Sequence, residues 1–216
     1  MSFRLEARGL DCERDGQRLF AGLGLSVADG DCLLVSGPNG SGKSTLLRML
    51  AGQLPPQAGE LAWCGRVLRH GARALRANLL YMGHAPGVAA SLTPLETLAW
   101  YQALRGERGD DDARLAALED WGLGEGAGIP AGQLSAGQRR RVALARLTLT
   151  SAPLWLLDEP FTALDRDAAN LLEERLSAHV RAGGAVVLAS HHVPALTVAM
   201  SRLALGESPR PDEVAV

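Results

Sequence analysis

Hydrophobic positions along this chain follow a two-residue period first, a helical period next, and then the two in alternation. Up to residue 35 the apolar residues fall in short runs, 3–7, 23–27 and 31–35, which predict strands. Asp15-Gly16 and Asp29-Gly30 separate these runs and predict hairpin turns. Residues 46–51 predict a helix, and 60–64 and 79–82 two further strands. From Thr93 the spacing is helical over 94–104 and 111–121, the second helix opened by Asp110, Asp111 and Asp112 at its positive end. Residues 122–132 are glycine-rich and predict loop, and 135–150 predict a third helix with Ser135 as its N-cap. A strand over 154–158, a helix over 165–181, a strand over 185–189 and a last strand near 203–205 follow. Strands alternating with helices of this length predict a parallel sheet covered on both faces, an α/β fold. Residues 93–150 then read as a helical subdomain inserted into a single domain spanning 1–216, with a mixed β layer on its flank.

The strand ending at Val35 and the helix beginning near Leu46 enclose Gly37, Pro38, Asn39, Gly40, Ser41, Gly42, Lys43, Ser44 and Thr45. This stretch fits the phosphate-binding pattern G-x-x-x-x-G-K-[ST] without a mismatch, in the strand–loop–helix setting the pattern needs. The glycines let backbone N–H groups turn inward around phosphate oxygens, and the helix behind adds its positive end. Lys43 would reach the β- and γ-phosphates of a nucleotide and the Ser44 hydroxyl would ligate Mg²⁺. Of the 22 lysines and arginines only Lys43 is a lysine. Its compact ammonium fits a phosphate cradle that a planar guanidinium would not.

Composition narrows the rest. A chain of 216 residues with 47% hydrophobic content can bury the core of one domain, and its net charge of −2 argues against a free nucleic-acid binder. No apolar run approaches the roughly 18 residues of a membrane span, and the first residues do not read as a signal peptide. Any action at a membrane would need other subunits. Cys12, Cys32 and Cys64 are odd in number and form no C-x-x-C pair, so free thiols in a reducing cytoplasm are expected. Residues 207–213 form a polar tail.

Residues 154–157 are an apolar strand run that ends in Asp158 and Glu159. Alone, such a run is an acidic strand end as readily as a site. Downstream of a phosphate loop it supplies Asp158 for Mg²⁺ and Glu159 to polarise an attacking water. Leu134-Ser135-Ala136-Gly137-Gln138 resembles the LSGGQ signature of ATP-binding-cassette (ABC) ATPases, with Ala136 in place of the first glycine. Ala163-Leu164-Asp165 is similar to that family's D-loop, and His191, after an apolar strand, to its switch histidine. The resemblance covers nearly all of the chain. It implies a P-loop NTPase (RecA-like) core with an antiparallel β subdomain and the inserted helical subdomain. It further implies ATP and Mg²⁺ as cofactors, and a head-to-tail dimer in which each ATP lies between one phosphate loop and the partner copy's signature, here Ser135, Gly137 and Gln138, with Asp165 nearby.

Two positions depart from that pattern. His84 stands where a glutamine usually contacts Mg²⁺ and water; it either takes over that role through a neutral ring nitrogen or merely caps its loop. The turn at residues 12–16 lacks the aromatic that normally stacks on adenine, and Arg14 either stacks its guanidinium there or is an exposed turn residue. Arg139, Arg140 and Arg141 read as helix-face charges toward solvent or the inserted core. His191-His192 invites a haem reading, but the switch role accounts for His191 and a solvated loop for His192, so direct haem binding is not expected. Trp63, Trp100, Trp121 and Trp155 read as core or subdomain interface.

The segments 79–87, 92–98, 133–146 and 157–165, with little chain after the last strand, are similar to the CcmA-type subunits of the cytochrome c maturation system. That narrower resemblance implies an ATPase on the cytoplasmic face of the inner membrane, docked on integral membrane subunits, whose hydrolysis drives haem export or release of a haem-loaded chaperone. Another small ABC exporter or importer would share every catalytic residue and differ in the docking surface around 84–105. A soluble ABC protein with a coiled-coil insertion or a second cassette finds no room between phosphate loop and signature.

Overall fold

The structure, a computed structural model, describes residues 3–69 and 72–206; the polar tail lies outside the described residues. Two sheets form the frame. The first is antiparallel, in the order β2 (Gln17–Ala28), β1 (Arg4–Arg14), β4 (Ala58–Trp63), β5 (Arg66–Val67). The second is parallel, in the order β6 (Leu79–Met82), β7 (Leu154–Asp158), β8 (Ala185–Ala189), β3 (Cys32–Ser36), β9 (Ser201–Ala204).

Side chains of the parallel sheet divide between two cores with the period of two that a strand imposes. Leu33, Val35, Leu154, Leu156, Val187 and Ala189 face α1 (Lys43–Leu50) and the antiparallel sheet. Leu34, Leu80, Met82, Trp155, Leu157, Val186 and Leu188 face the helices of the opposite layer. Both faces being covered, the strands are apolar almost throughout, as predicted. The fold class is the expected α/β one, with an antiparallel sheet packed beside a parallel core.

Between β6 and β7 lie α3 (Pro94–Arg105), α4 (Asp111–Asp120) and α5 (Ala136–Leu149), packed on one another. Their starts are written in the sequence. Thr93 and Glu96 form a reciprocal capping box ahead of Pro94 at the first helical position, and Asp110 accepts from Ala113 N. Ser135 caps α5, again as half of a box, with Gln138 returning the bond. α6 (Arg166–Arg181) then crosses back to β8, N-capped by Asp165.

The differences from the sequence reading have local causes. β1 and β2 run 11 and 12 residues, well beyond the predicted runs, because register shifts between Ala7 and Leu10 and again around Cys12 break the alternation. α2 (Arg73–Asn78) was not anticipated: Leu75 is its one buried residue, so it carries no apolar period. β9 pairs from Ser201 rather than Leu203, since Ser201 and Arg202 join the ladder without pointing into the core. Trp63, Trp121 and Trp155 are core residues as expected, but Trp100 is 51% exposed on α3. Nor do the three arginines simply face solvent: Arg139 donates to Leu134 O at 2.8 Å, Arg141 to Trp121 O at 3.3 Å, and Arg140 is buried. Cys12, Cys32 and Cys64 are free thiols. No helix of the described residues is long and apolar enough to cross a membrane.

Candidate functional site

Four neighbouring strands of the parallel sheet, β6, β7, β8 and β3, end on the same edge, and each hands over a different piece of chemistry. β6 leads to Gly83-His84, β7 ends in Asp158 with Glu159 next, β8 leads through Ser190 to His191, and β3 opens the phosphate loop. The carboxyl edge of such a sheet is where ligands bind. A cavity of about 580 Å³ opens there, lined by Arg14, Asn39, Gly40, Gly42, Lys43, Ser44, Thr45, His84, Glu159 and His191. The β1–β2 hairpin closes one side with Arg14, Asp15, Gln17 and Leu19, and Thr162 adds to the wall. Asp15, Gln17, Leu19 and Thr162 were not among the expected site residues.

The phosphate loop is held by requirements that only its sequence meets. Gly37 takes φ +146°, and a Cβ there would lie 2.3 Å from Leu205 O and 2.7 Å from Ser41 Oγ. Pro38 and Ser41 support the loop rather than line the cavity. Lys43 is 7% exposed and folds over its own loop, donating to Gly37 O at 2.8 Å and Pro38 O at 3.1 Å. Ser44 Oγ donates to Asp158 Oδ1 at 3.0 Å, which brings two of the three expected Mg²⁺ ligands together. Asp158 is 2% exposed and reaches the cavity only through this contact.

Around Lys43 the remaining groups converge. His191 Nε2 lies 2.8 Å from Asn39 Oδ1, 3.3 Å from Lys43 Nζ and 3.6 Å from Glu159 Oε1. That last separation is beyond hydrogen-bond range, so among the described residues the buried Glu159 Oε1 has no hydrogen-bond partner, and Ser41 Oγ has none either. Buried polar atoms left without partners beside an anion-binding loop fit a site shaped for a phosphate group and its metal. Glu159 also sits in the left-handed region at φ +49°, a strain of about 1–3 kcal/mol for a non-glycine residue. Its N–H is anchored on Ala189 O of β8 at 2.8 Å.

The signature residues stand apart from this cavity. Ser135 Oγ accepts from Gln138 N at 3.1 Å while Gln138 Oε1 accepts from Ser135 N at 2.8 Å. Gly137 packs so closely on the segment after β7 that a Cβ would lie 2.8 Å from Ala163 O. Asp165 accepts from Ala168 N at 2.9 Å and is likewise away from the cavity. Arg14 reaches the mouth with its side chain 71% exposed and Asp15 Oδ2 3.4 Å from its Nε. His84 faces the cavity while its own carbonyl accepts from Arg140 at 3.3 Å. Arg140, read only as a helix-face charge, is thus tied to the site. The signal was available, because 140, 143, 144 and 147 fall on one helical face and the other three are apolar.

The sequence pattern of the ABC transporter family matches residues 20–162. The cytochrome c biogenesis ATP-binding export protein CcmA of Pseudomonas putida is 50% identical over 192 residues, covering 89% of this chain and 91% of that protein. The protein of the same name from Escherichia coli strain K12 is 47% identical over 199 residues, 92% of this chain and 93% of its own. Among solved structures, a dimeric ATP-binding cassette in a post-hydrolysis state bound to ADP and Pi shares the fold with a TM-score of 0.81, at 21% identity over 94% of this chain and 97% of that one. Agreement of this extent shows that the chain belongs to the ABC transporter family, as an ATP-hydrolysing cassette subunit of the CcmA type.

Proposed function

We propose that this cassette hydrolyses ATP as a head-to-tail dimer on the cytoplasmic face of the inner membrane, docked on integral membrane subunits that serve cytochrome c biogenesis. The observation that carries the catalytic part is the convergence of Lys43, Ser44, Glu159 and His191 on one cavity at the sheet edge, with Asp158 bonded to Ser44 behind its wall. In this reading the loop amides and Lys43 bind the β- and γ-phosphates, and Ser44 and Asp158 hold Mg²⁺, which offsets phosphate charge when bound. Glu159 takes the proton of the attacking water, and His191 hydrogen-bonds the γ-phosphate. Ser135, Gly137 and Gln138, remote from their own chain's cavity, act on the partner copy's nucleotide, with Asp165 at the same interface. Haem export, or release of a haem-loaded carrier, would be the work coupled to hydrolysis, with no haem held by this subunit.

The membrane assignment rests on likeness to export proteins of cytochrome c biogenesis, and co-purification from detergent-solubilised membranes tests it. The expected outcome is recovery of membrane subunits required for cytochrome c assembly. Recovery of an unrelated transporter's membrane subunits would make this the ATPase of another small exporter or importer.

Arg14 and His84 separate by what their loss changes. Stacking of the Arg14 guanidinium on adenine is worth roughly 0.5 to 2 kcal/mol, so Arg14→Ala is expected to weaken ATP binding by about 2- to 30-fold and Arg14→Tyr to restore it. His84→Ala is expected to leave ATP affinity in place and lower turnover. Equilibrium binding of a fluorescent ATP analogue, read beside steady-state turnover, checks both. Unchanged affinity in both Arg14 variants would leave an exposed turn residue, and unchanged turnover in His84→Ala a loop cap.

A further inference from the structure

The most deeply buried cation beside the cavity is not one of the residues that line it. Arg140, in the second turn of α5, is 3% exposed. Its fork donates to five main-chain carbonyls: Nε to Pro160, one terminal nitrogen to Gly83 and His84, the other to Asp158 and Glu159. Burial pushes this guanidinium down from its ordinary value, and the negative charges of Asp158 and Glu159 push it back up. A buried cation held by carbonyl dipoles is an expensive way to fasten a helix if fastening is all it does, since an apolar contact would serve as well. Those carbonyls belong to the two loops that carry the site, the one at His84 and the one at Glu159.

The geometry explains what the fork gains over an apolar contact. Glu159 is strained at φ +49°, and both of its main-chain polar groups are held, the N–H on Ala189 O and the C=O by the Arg140 fork. We propose that Arg140 is a positioning residue for ATP hydrolysis: its guanidinium holds the left-handed backbone of Glu159, and with it the carboxylate, in register with the phosphate loop, and ties both to the helix that Ser135 caps. The proposal rests on Glu159 being the base of the reaction. No other arginine of the 139–141 cluster can do this, as Arg139 and Arg141 bond within the helical layer.

A double-mutant cycle between Arg140 and Glu159 tests the idea, with turnover expressed per nucleotide-binding site so that any unfolded fraction drops out. Arg140→Gln is expected to lower kcat by about 10- to 100-fold and to leave KM for ATP within about twofold, because the carboxylate is misplaced while the phosphate loop is untouched. Arg140→Lys, which keeps the charge but loses the fork, is expected to recover only part of the rate, and it serves in place of Arg140→Gln if that variant does not fold. In a Glu159→Ala background, either Arg140 change is expected to alter the residual single-turnover rate by less than about twofold, since the side chain it positions is gone. An equal fold loss in both backgrounds would overturn the proposal, as would a rise in KM at constant kcat. Near wild-type turnover in Glu159→Gln alone is a different failure: it removes the base assignment and this proposal with it.

Discussion

Glu159→Gln is expected to keep ATP binding and to reduce turnover by about 10² to 10⁴, the range set by loss of a general base. The substitution is nearly isosteric, so the strained backbone and its bonds to Ala189 and Arg140 stay in place. What changes is the carboxylate oxygen that is buried, without a hydrogen-bond partner among the described residues, and 3.6 Å from His191 Nε2. An amide there can still orient a water but cannot accept its proton. ATP would then be bound and not consumed, and the variant is expected to accumulate an ATP-loaded dimer visible by size-exclusion chromatography with nucleotide in the buffer. Turnover within a fewfold of wild type would assign the base elsewhere and leave Glu159 as a strand-end carboxylate.

What made this site legible in the sequence was locality. The phosphate-binding pattern is one unbroken stretch whose glycines, lysine and serine lie within nine positions, and the carboxylates close a strand that is apolar in every preceding residue. The order β6-β7-β8-β3 then sets His84, Glu159, His191 and the loop side by side, which the alternation of strands and helices implied only as a parallel sheet. The sequence shows less where the physics is not periodic. Bulges hide the full length of β1 from an alternation test, and a six-residue helix with one buried leucine has no period to find. The left-handed backbone of Glu159 could not be foreseen, because its residue type does not favour that conformation and only contacts distant in sequence hold it there. Arg140 is the instructive miss. Its place on the apolar face of α5 was visible, but a charge in a run of three arginines reads as a helix-face charge toward solvent or the inserted core until its carbonyl partners, contributed by residues 83–84 and 158–160, are known.

Ser135→Arg is expected to abolish hydrolysis in the pure variant while leaving monomer folding and nucleotide binding to the phosphate loop intact. Ser135 is exposed at the N-terminus of α5 and outside its own chain's cavity, so a larger side chain there meets no neighbour in the monomer. The loss of its bond to Gln138 N costs only a helix cap, about 1 kcal/mol. Lys43→Ala is expected to be inactive for the opposite reason, a damaged loop with an intact signature. The decisive measurement mixes the two. In a two-fold dimer each loop meets the partner's signature, so a mixed dimer puts both lesions on one composite site and leaves the other whole. If composite sites act independently, a random mixture is expected to regain up to about a quarter of wild-type turnover, because half the dimers are mixed and each has one of two sites. Strict coupling between sites would suppress that rate, but the intact site of the mixed dimer would still trap one ATP and hold the dimer together. A mixture that neither hydrolyses ATP nor forms an ATP-dependent dimer would rule out the head-to-tail arrangement, and the role of Ser135, Gly137 and Gln138 would shrink to capping α5 and packing it against Ala163.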